Sequence, residues 1–283
     1  MNRISTCLLA AALATLSITA ASATASEIES RENPQESPGA VSRNNSPTAD
    51  SEGPAASPFS IHYFGIYYGP SLQKGTERPA LDTRNFLTLN ASVSPDTFLG
   101  ITTGWSWQGI PTGVARPRDP FLKLARNNIV HSGAFSWYGD FRVHLPITAE
   151  SRQKDLWVGM QSFHYLGWEP GDGGAGLAIS ARYNLFGGEG RGDQWELYGA
   201  PNVYWNVSPR LAFNLMLEWG AGRPVGEDPR LLLSNGLDLD PGFSWKVSDG
   251  LLLSPYLSLP LDRTSQELSE GAFAGMTLSW QLL

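Results

Sequence analysis

From Phe59 onward the chain alternates apolar and polar residues. In RLAFNLMLEWG, Leu211, Phe213, Leu215, Leu217 and Trp219 share one parity, and Ala212, Asn214, Met216 and Glu218 the other. DQWELYGAPNVYWNVS sets Trp195, Leu197, Val203, Trp205 and Val207 against Glu196, Tyr198, Asn202, Tyr204 and Asn206. GLDLDPGFSWKV sets Leu237, Leu239, Phe243 and Trp245 against Asp238, Asp240, Ser244 and Lys246. Side chains of an extended chain point to opposite faces in turn, so a period of two means strands with one apolar and one polar face. The same pattern runs through NFLTLNASVS, TFLGITTGWSW, AFSWYGDFRVHL, LAISARYNLF and LLLSPYLSL. Eleven strands are predicted: 60–69, 85–94, 97–107, 132–145, 155–167, 175–187, 193–207, 210–221, 235–247, 250–261 and 271–282.

Most of these strands run ten to fifteen residues. Soluble strands average about 5–6 residues, whereas a tilted strand needs ~9–11 to cross a bilayer. The connections are asymmetric. SPDT (94–97), SPR (208–210) and SDG (248–250) are tight turns, while 70–84, 108–131, 222–234 and 262–270 are longer. Short turns at one end and long loops at the other are the habit of membrane barrels. Bacterial single-chain barrels have an even number of strands, and eleven is odd. If the three tight turns share one end, the four strands predicted between 97–107 and 210–221 cannot all alternate in direction. One strand is therefore missing or miscounted. The suspects are 155–167, whose alternation is poor, and 108–131, which would contribute a strand or fold into the lumen. The expectation is an all-β, transmembrane, antiparallel up-and-down barrel of about twelve strands, with ten the next choice.

A soluble sandwich alternates too, so charge placement is the deciding test. Asp140, Arg142, Arg182, Glu196, Glu218, Asp238, Asp240 and Lys246 all fall on the polar parity of their strands. A Lys or Arg facing lipid near mid-bilayer costs ~2–4 kcal/mol, so an apolar face free of charge is what lipid requires. The polar face is otherwise Asn, Ser, Thr, Gly, Tyr and Gln rather than the dense Lys and Glu of a water-facing sheet. The apolar face carries Trp105, Trp107, Trp137, Trp195, Trp205, Trp219, Trp245 and Trp280, mostly near strand ends, where interfacial aromatic girdles sit. The solvated outer face of a soluble sheet gives the same parity and stands as the alternative.

Composition agrees with the membrane reading. The charged fraction is 17%, below the ~25% of soluble domains. A net charge of −7 and a pI near 5.1 argue against a nucleic-acid partner, which calls for a basic face. Residues 1–25 read as a signal peptide: Arg3, an apolar run from Leu8 to about Ala20, then Ala-x-Ala sites at 21–23 and 23–25. The only cysteine, Cys7, lies within it, so the exported chain would carry no disulfide. Residues 26–58 are Ser-, Pro- and Glu-rich with little to bury, and read as a disordered linker. The barrel would occupy 59–283.

Signal, disordered lead, long alternating strands and the terminal GMTLSWQLL together resemble a Gram-negative outer-membrane β-barrel. The segment RDPFLKLARNNIVHSGAFSWYGDFRVHLP resembles uncharacterised barrels of predatory bacteria. The resemblance covers 59–283 in architecture. It implies export to the outer membrane, contact with outer-membrane lipid and lipopolysaccharide, and handling by the barrel-assembly machinery. Such barrels usually end on an aromatic residue; this chain ends on Leu283, one residue out of step with Met276, Leu278, Trp280 and Leu282. No catalytic residue carries over.

The candidate lumen-lining residues are Asp140, Arg142, His144, Arg182, Glu196, Glu218, Asp238, Asp240 and Lys246. They would either line an aqueous channel and set its ion preference or form a salt-bridge network filling a narrow barrel. The basic segment 108–131, with Arg116, Arg118, Lys123 and Arg126, is expected to be an extracellular loop that is simply solvated, or that constricts the pore or meets lipopolysaccharide phosphates. Hydrolysis would need Ser, His and an acid grouped near the outer rim. His131-Ser132 stands at a strand mouth, but neighbours in a strand point oppositely. No His or Cys cluster suggests a metal, and no cofactor is expected. Arg191-Gly192-Asp193 and GDGG (171–174) read as Gly-rich turns. The leading expectation is a porin-like passive channel for small solutes. The alternatives are a non-conducting structural or adhesive barrel acting through its loops, and a barrel-embedded hydrolase.

Overall fold

The computed structural model describes residues 58–71, 81–107, 113–188, 190–226, 233–261 and 272–283. The expected signal peptide, the linker up to residue 57 and parts of the loops at 70–84, 108–131, 222–234 and 262–270 lie outside the described residues. Twelve strands follow in chain order. They are β1 (Phe59–Ser71), β2 (Asp82–Ser94), β3 (Thr97–Trp107), β4 (Ala115–Ser132), β5 (Phe135–His144) and β6 (Leu156–Trp168), then β7 (Gly173–Phe186), β8 (Asp193–Ser208), β9 (Leu211–Pro224), β10 (Leu233–Ser248), β11 (Leu251–Pro260) and β12 (Phe273–Gln281). One short helix, α1 (Ala149–Gln153), sits between β5 and β6.

Each strand pairs antiparallel with its chain neighbours, and β12 returns to β1 to close a barrel. Phe64 faces Ser279, Gly65 faces Leu278 and Ile66 faces Thr277. Beyond the paired strands, Leu282 N–H donates to Ile61 O at 2.8 Å and Ile61 N–H to Leu283 O at 3.3 Å. Leu283 thus gives the closing ladder one more bond. Closure satisfies every backbone edge within the protein, which hydrocarbon demands of any spanning sheet.

β4 is the strand that the odd count lacked, and it lies inside the segment expected to be a loop. Thr102 pairs with Phe121 but Gly104 pairs with Arg118, so Asp119 and Pro120 form a bulge. Proline has no N–H for a ladder. Before the bulge Arg116 and Arg118 face inward; after it Phe121, Lys123 and Ala125 do. The alternation changes phase at the bulge, which is why the segment reads as irregular. The constricting loop is therefore corrected to a strand over residues 115–132. The other suspect, 155–167, is a true strand, β6.

The asymmetry of the connections holds. At one end the turns are Pro95–Asp96, Gly133–Ala134, Pro209–Arg210 and Asp249–Gly250, with the slightly longer 169–172. At the other lie the longer links, among them 145–155 with α1. Thr148 caps α1, its Oγ1 accepting from Ser151 N–H. Asp119, turned out by the bulge, accepts at 2.9 Å from both Ile147 N–H and Thr148 N–H and also meets the Ser151 hydroxyl. The bulge thereby latches this loop to β4. GDGG is only half a turn, since Gly173 already begins β7.

The two faces separate as the alternation requires. Leu99, Ile101, Leu122, Leu124, Phe141, Ile179, Phe243 and Leu257 are exposed on the outside. Thr88, Thr102, Gln161, Ser180, Ser254, Ser258, Thr277 and Ser279 are buried on the inside. All ten tryptophans are described. Trp105, Trp107, Trp157, Trp195 and Trp219 lie toward the long-loop end; Trp137, Trp168, Trp205, Trp245 and Trp280 lie toward the tight-turn end. Trp195 and Trp205 stand ten residues apart on one face of β8. At ~3.3 Å per residue this is about 33 Å along the strand, and at a tilt of ~40° about 25 Å along the barrel axis. That is the height of the apolar band between the two aromatic girdles of a membrane barrel.

Candidate functional site

The site is the interior wall. Cationic side chains rise from one arc of the barrel: Arg84 on β2, Arg116, Arg118 and Lys123 on β4, Arg142 on β5 and Arg182 on β7. Carboxylates come from the facing arc: Glu196 on β8, Glu218 on β9, and Asp238 and Asp240 on β10. Three inward-parity residues break this division: Asp82, two residues before Arg84 on β2 and paired with Tyr68, and Asp140 and Lys246, each of which is neutralised locally. Asp140, on the basic arc, takes two charge-assisted hydrogen bonds from Arg142, at 2.7 Å from Nε and 3.0 Å from Nη2. Lys246, on the acidic arc, reaches down to Asp249 in the β10–β11 turn at 2.9 Å, and this bond holds the Asp249 carboxyl below its ordinary range.

The Asp140–Arg142 pair is the best-buried ion pair among the described residues, its side chains 0% and 5% exposed. The Arg142 guanidinium lies 5.2 Å from the ring centres of both Phe121 and Phe163, and Tyr138 Oη donates to Asp140 at 2.6 Å. Planar charge held between two rings is a geometry that Arg supports and Lys does not. The His144 ring lies tilted at 42° against that of Phe121, 5.0 Å between centres, and its Nε2 lies 2.8 Å from Gln161 Oε1. Gln161 donates onward to Ser180 at 2.9 Å. Arg182 and Glu196 meet at 3.9 Å, and Asn184 bonds Glu196 at 2.7 Å. On this arc the charges form a network. Of the two outcomes expected of the inward charges, a salt-bridge network is seen around Asp140, Arg142, Arg182 and Glu196.

The acidic arc is built differently. Glu218 pairs directly with Asp238 across β9 and β10, and Asp240 follows on the same face. Tyr198 Oη donates to Glu218 at 2.9 Å. Tyr68 on β1 lies within coulombic reach of Arg84 and Arg118 as well as Glu218 and Asp240, so its hydroxyl stands between the two arcs. The Arg84 guanidinium lies 5.3 Å from the Tyr68 ring centre. Tyr256 lies flat across Gly275, where a Cβ would come within 2.4 Å of its ring.

Two apolar clusters narrow the interior. One joins Phe64, Ile66 and Phe86 with Tyr68. The other joins Phe163, Ala178, Tyr198 and Ala200 with Tyr138, Tyr165 and Met216. The large side chains fit because Ala178 and Ala200 leave room at the wall.

Among the loop candidates, Arg118 and Lys123 face the lumen, with Arg118 5.6 Å from the Phe86 ring centre. Arg116 is exposed near the long-loop end. Arg126 pairs with Thr97 and Gly139, putting it on the outward parity at the tight-turn end. It is thus removed from both roles expected of it. His131 and Ser132 also lie at the tight-turn end, away from the long-loop rim. Among the described residues no group of three His, Cys, Asp or Glu could hold a metal ion.

Sequence reading missed Arg84, Tyr68, Tyr198, Tyr256 and Gln161. Arg84 falls in the expected loop 70–84, one residue before the expected start of β2, yet it shares the parity of Phe86 and Thr88. The tyrosines sit on the polar parity, and only the closed register shows that they converge.

A closed, antiparallel twelve-stranded barrel with an apolar belt between two tryptophan girdles and a charged interior defines the class: this is the fold of porin-like outer-membrane β-barrels. One solved structure shares the fold. The chain is similar to an outer-membrane channel from Pseudomonas putida F1, at 10% identity over 82% of this chain and 100% of that one, with a TM-score of 0.55. Weaker likenesses are to the NanC porin (8% identity, 77% of this chain and 97% of that one, TM-score 0.48) and to OmpF of Salmonella typhi in complex with daunomycin (5%, 79% and 97%, 0.41). No protein-family model matches the chain, and no curated protein does.

Proposed function

We propose that the protein is a passive channel for small solutes in the outer membrane, reached by export on its N-terminal signal. The observation that carries the reading is the division of charge inside a closed barrel. Basic groups line one arc and carboxylates the other, so a solute between them crosses a transverse field within low-dielectric walls. The constriction is made by inward side chains of the strands, chiefly Phe64, Phe86, Phe121, Tyr68 and Tyr256, rather than by a folded-in loop. In this reading Arg223, paired with Trp195 on the outward parity at the long-loop end and bonded to Gln194, is the basic residue that would meet lipopolysaccharide phosphate.

Single-channel recording of the refolded protein tests this. Steady conductance is expected, with an ion selectivity that moves toward anions in Glu218→Gln and toward cations in Arg182→Gln. A correctly folded barrel that never conducts overturns the proposal. A second reading, a non-conducting barrel acting through its loops, is favoured by the nearly complete burial of Phe64, Ile66 and Phe163 inside the lumen. Silence in the same recordings is its expected result.

A further inference from the structure

We infer that the acidic arc holds a seat for the ammonium group of a small organic cation, anchored by Asp240 and flanked by the ring of Tyr256 and the hydroxyl of Tyr68. This rests on the channel reading and names the solute class that the lumen would favour. Asp240 is only 5% exposed. The Ser258 hydroxyl bonds its carboxylate, but its Oδ1 is buried with no hydrogen-bond partner. A buried carboxylate oxygen without a donor is costly and is the strongest acceptor a protein can offer a cation. A second orphan lies nearby: the Tyr68 hydroxyl is also buried and without a partner, within coulombic reach of Asp240. Two independent strands, β10 and β1, thus bring unsatisfied polar atoms to one place.

The chemistry around them selects the ligand. Glu218 and Asp238 are direct cross-strand neighbours and Asp240 is diagonal to Glu218, an arrangement with Cβ atoms about 5–8 Å apart. Carboxylates so close repel one another, and a cation among them relieves the repulsion. A hard metal ion calls for six or more oxygen ligands, and the described residues form no such group. An ammonium needs only two or three acceptors and gains from aromatic faces. Tyr256 supplies one such face, held flat by Gly275, and Phe273 packs against both Tyr256 and Tyr68, at 6.3 and 5.8 Å between ring centres.

The test is a titration of the full-length, detergent-folded protein with n-butylammonium chloride, followed by calorimetry, with sodium butyrate and potassium chloride as controls at matched ionic strength. Saturable binding of butylammonium alone is expected. Asp240→Asn should weaken it about tenfold, because a hydrogen bond to a charged acceptor is roughly twice as strong as one to a neutral acceptor, and Tyr68→Phe should weaken it less. If Asp240→Asn does not fold, as read by heat-modifiable migration, Tyr256→Leu tests the same seat from its aromatic side and should lose several-fold affinity. No saturable binding to the native protein, equal binding by the folded variants, or equal binding of butyrate overturns the seat. Conductance of the same preparation separates the two proposals. A conducting protein that ignores butylammonium sinks the seat alone, whereas a silent protein that binds it sinks the channel and leaves the seat standing.

Discussion

Replacing Ile179 by Arg puts a charge where the fold least tolerates one. Ile179 is 42% exposed on the outer face and sits at the middle of β7, six residues from Gly173 and seven from Phe186. Its neighbours on either side, Ala178 and Ser180, are buried inward. An Arg on the lipid face at the bilayer midplane costs ~2–4 kcal/mol, falling to ~0–1 near the interfaces. At about 1.4 kcal/mol per factor of ten, the folding equilibrium constant should fall by roughly 30- to 700-fold. Val207→Arg, on the same outer face but next to the tight-turn end of β8, should cost less than about tenfold. The assay is reversible guanidinium unfolding from phospholipid vesicles, read by tryptophan fluorescence and by heat-modifiable migration. A soluble sheet would tolerate both changes within about 0.5 kcal/mol. Equal costs at the two depths, or none at Ile179, would refute the assignment of this face to lipid.

Other outcomes follow from single contacts. Asp140→Asn strands the Arg142 guanidinium between two phenyl rings and should lower stability by ~3–5 kcal/mol in the same unfolding assay, while the double replacement Asp140→Leu with Arg142→Met should recover most of it. Gly275→Val drives a side chain into Tyr256 and should push that ring into the lumen, lowering single-channel conductance with the strand content in circular dichroism unchanged. Asp119→Ala releases the backbone of Ile147 and Thr148, so trypsin added to intact cells should cut after Arg152 or Lys154 several-fold faster, with the barrel itself still heat-modifiable.

The strands were legible because lipid and lumen impose opposite chemistry on alternate residues, and Leu211 to Trp219 can satisfy both in only one way. β4 was illegible for a local reason: the Asp119-Pro120 bulge reverses the parity in mid-strand, so averaging over the segment cancels its signal. Asp140, Arg142, Glu218 and Asp240 were placed inward by parity alone. What parity does not carry is who meets whom around the ring. That Arg142 is claimed by Asp140, Lys246 by Asp249, and that Tyr68 reaches the acids of β9 and β10 depends on register around a closed barrel, which strand-by-strand reading does not supply.

Eleven of the twelve pairings join strands adjacent in the chain, and β1 with β12 is the exception. All but one of the contacts that build the sheet are therefore hairpin-like and quick to form, while the last must bring together segments such as His62 and Gln281 from opposite ends of the barrel sequence. Until it forms, the sheet is an open ribbon with two unpaired edges in a solvent that cannot hydrate them. The seam between β1 and β12 is thus the committed step of assembly, and the stretch FAGMTLSWQ is most sensitive to mutation in its timing. A slowed seam would leave a chain with nearly all its native pairs and every tendency to pair with its neighbours instead.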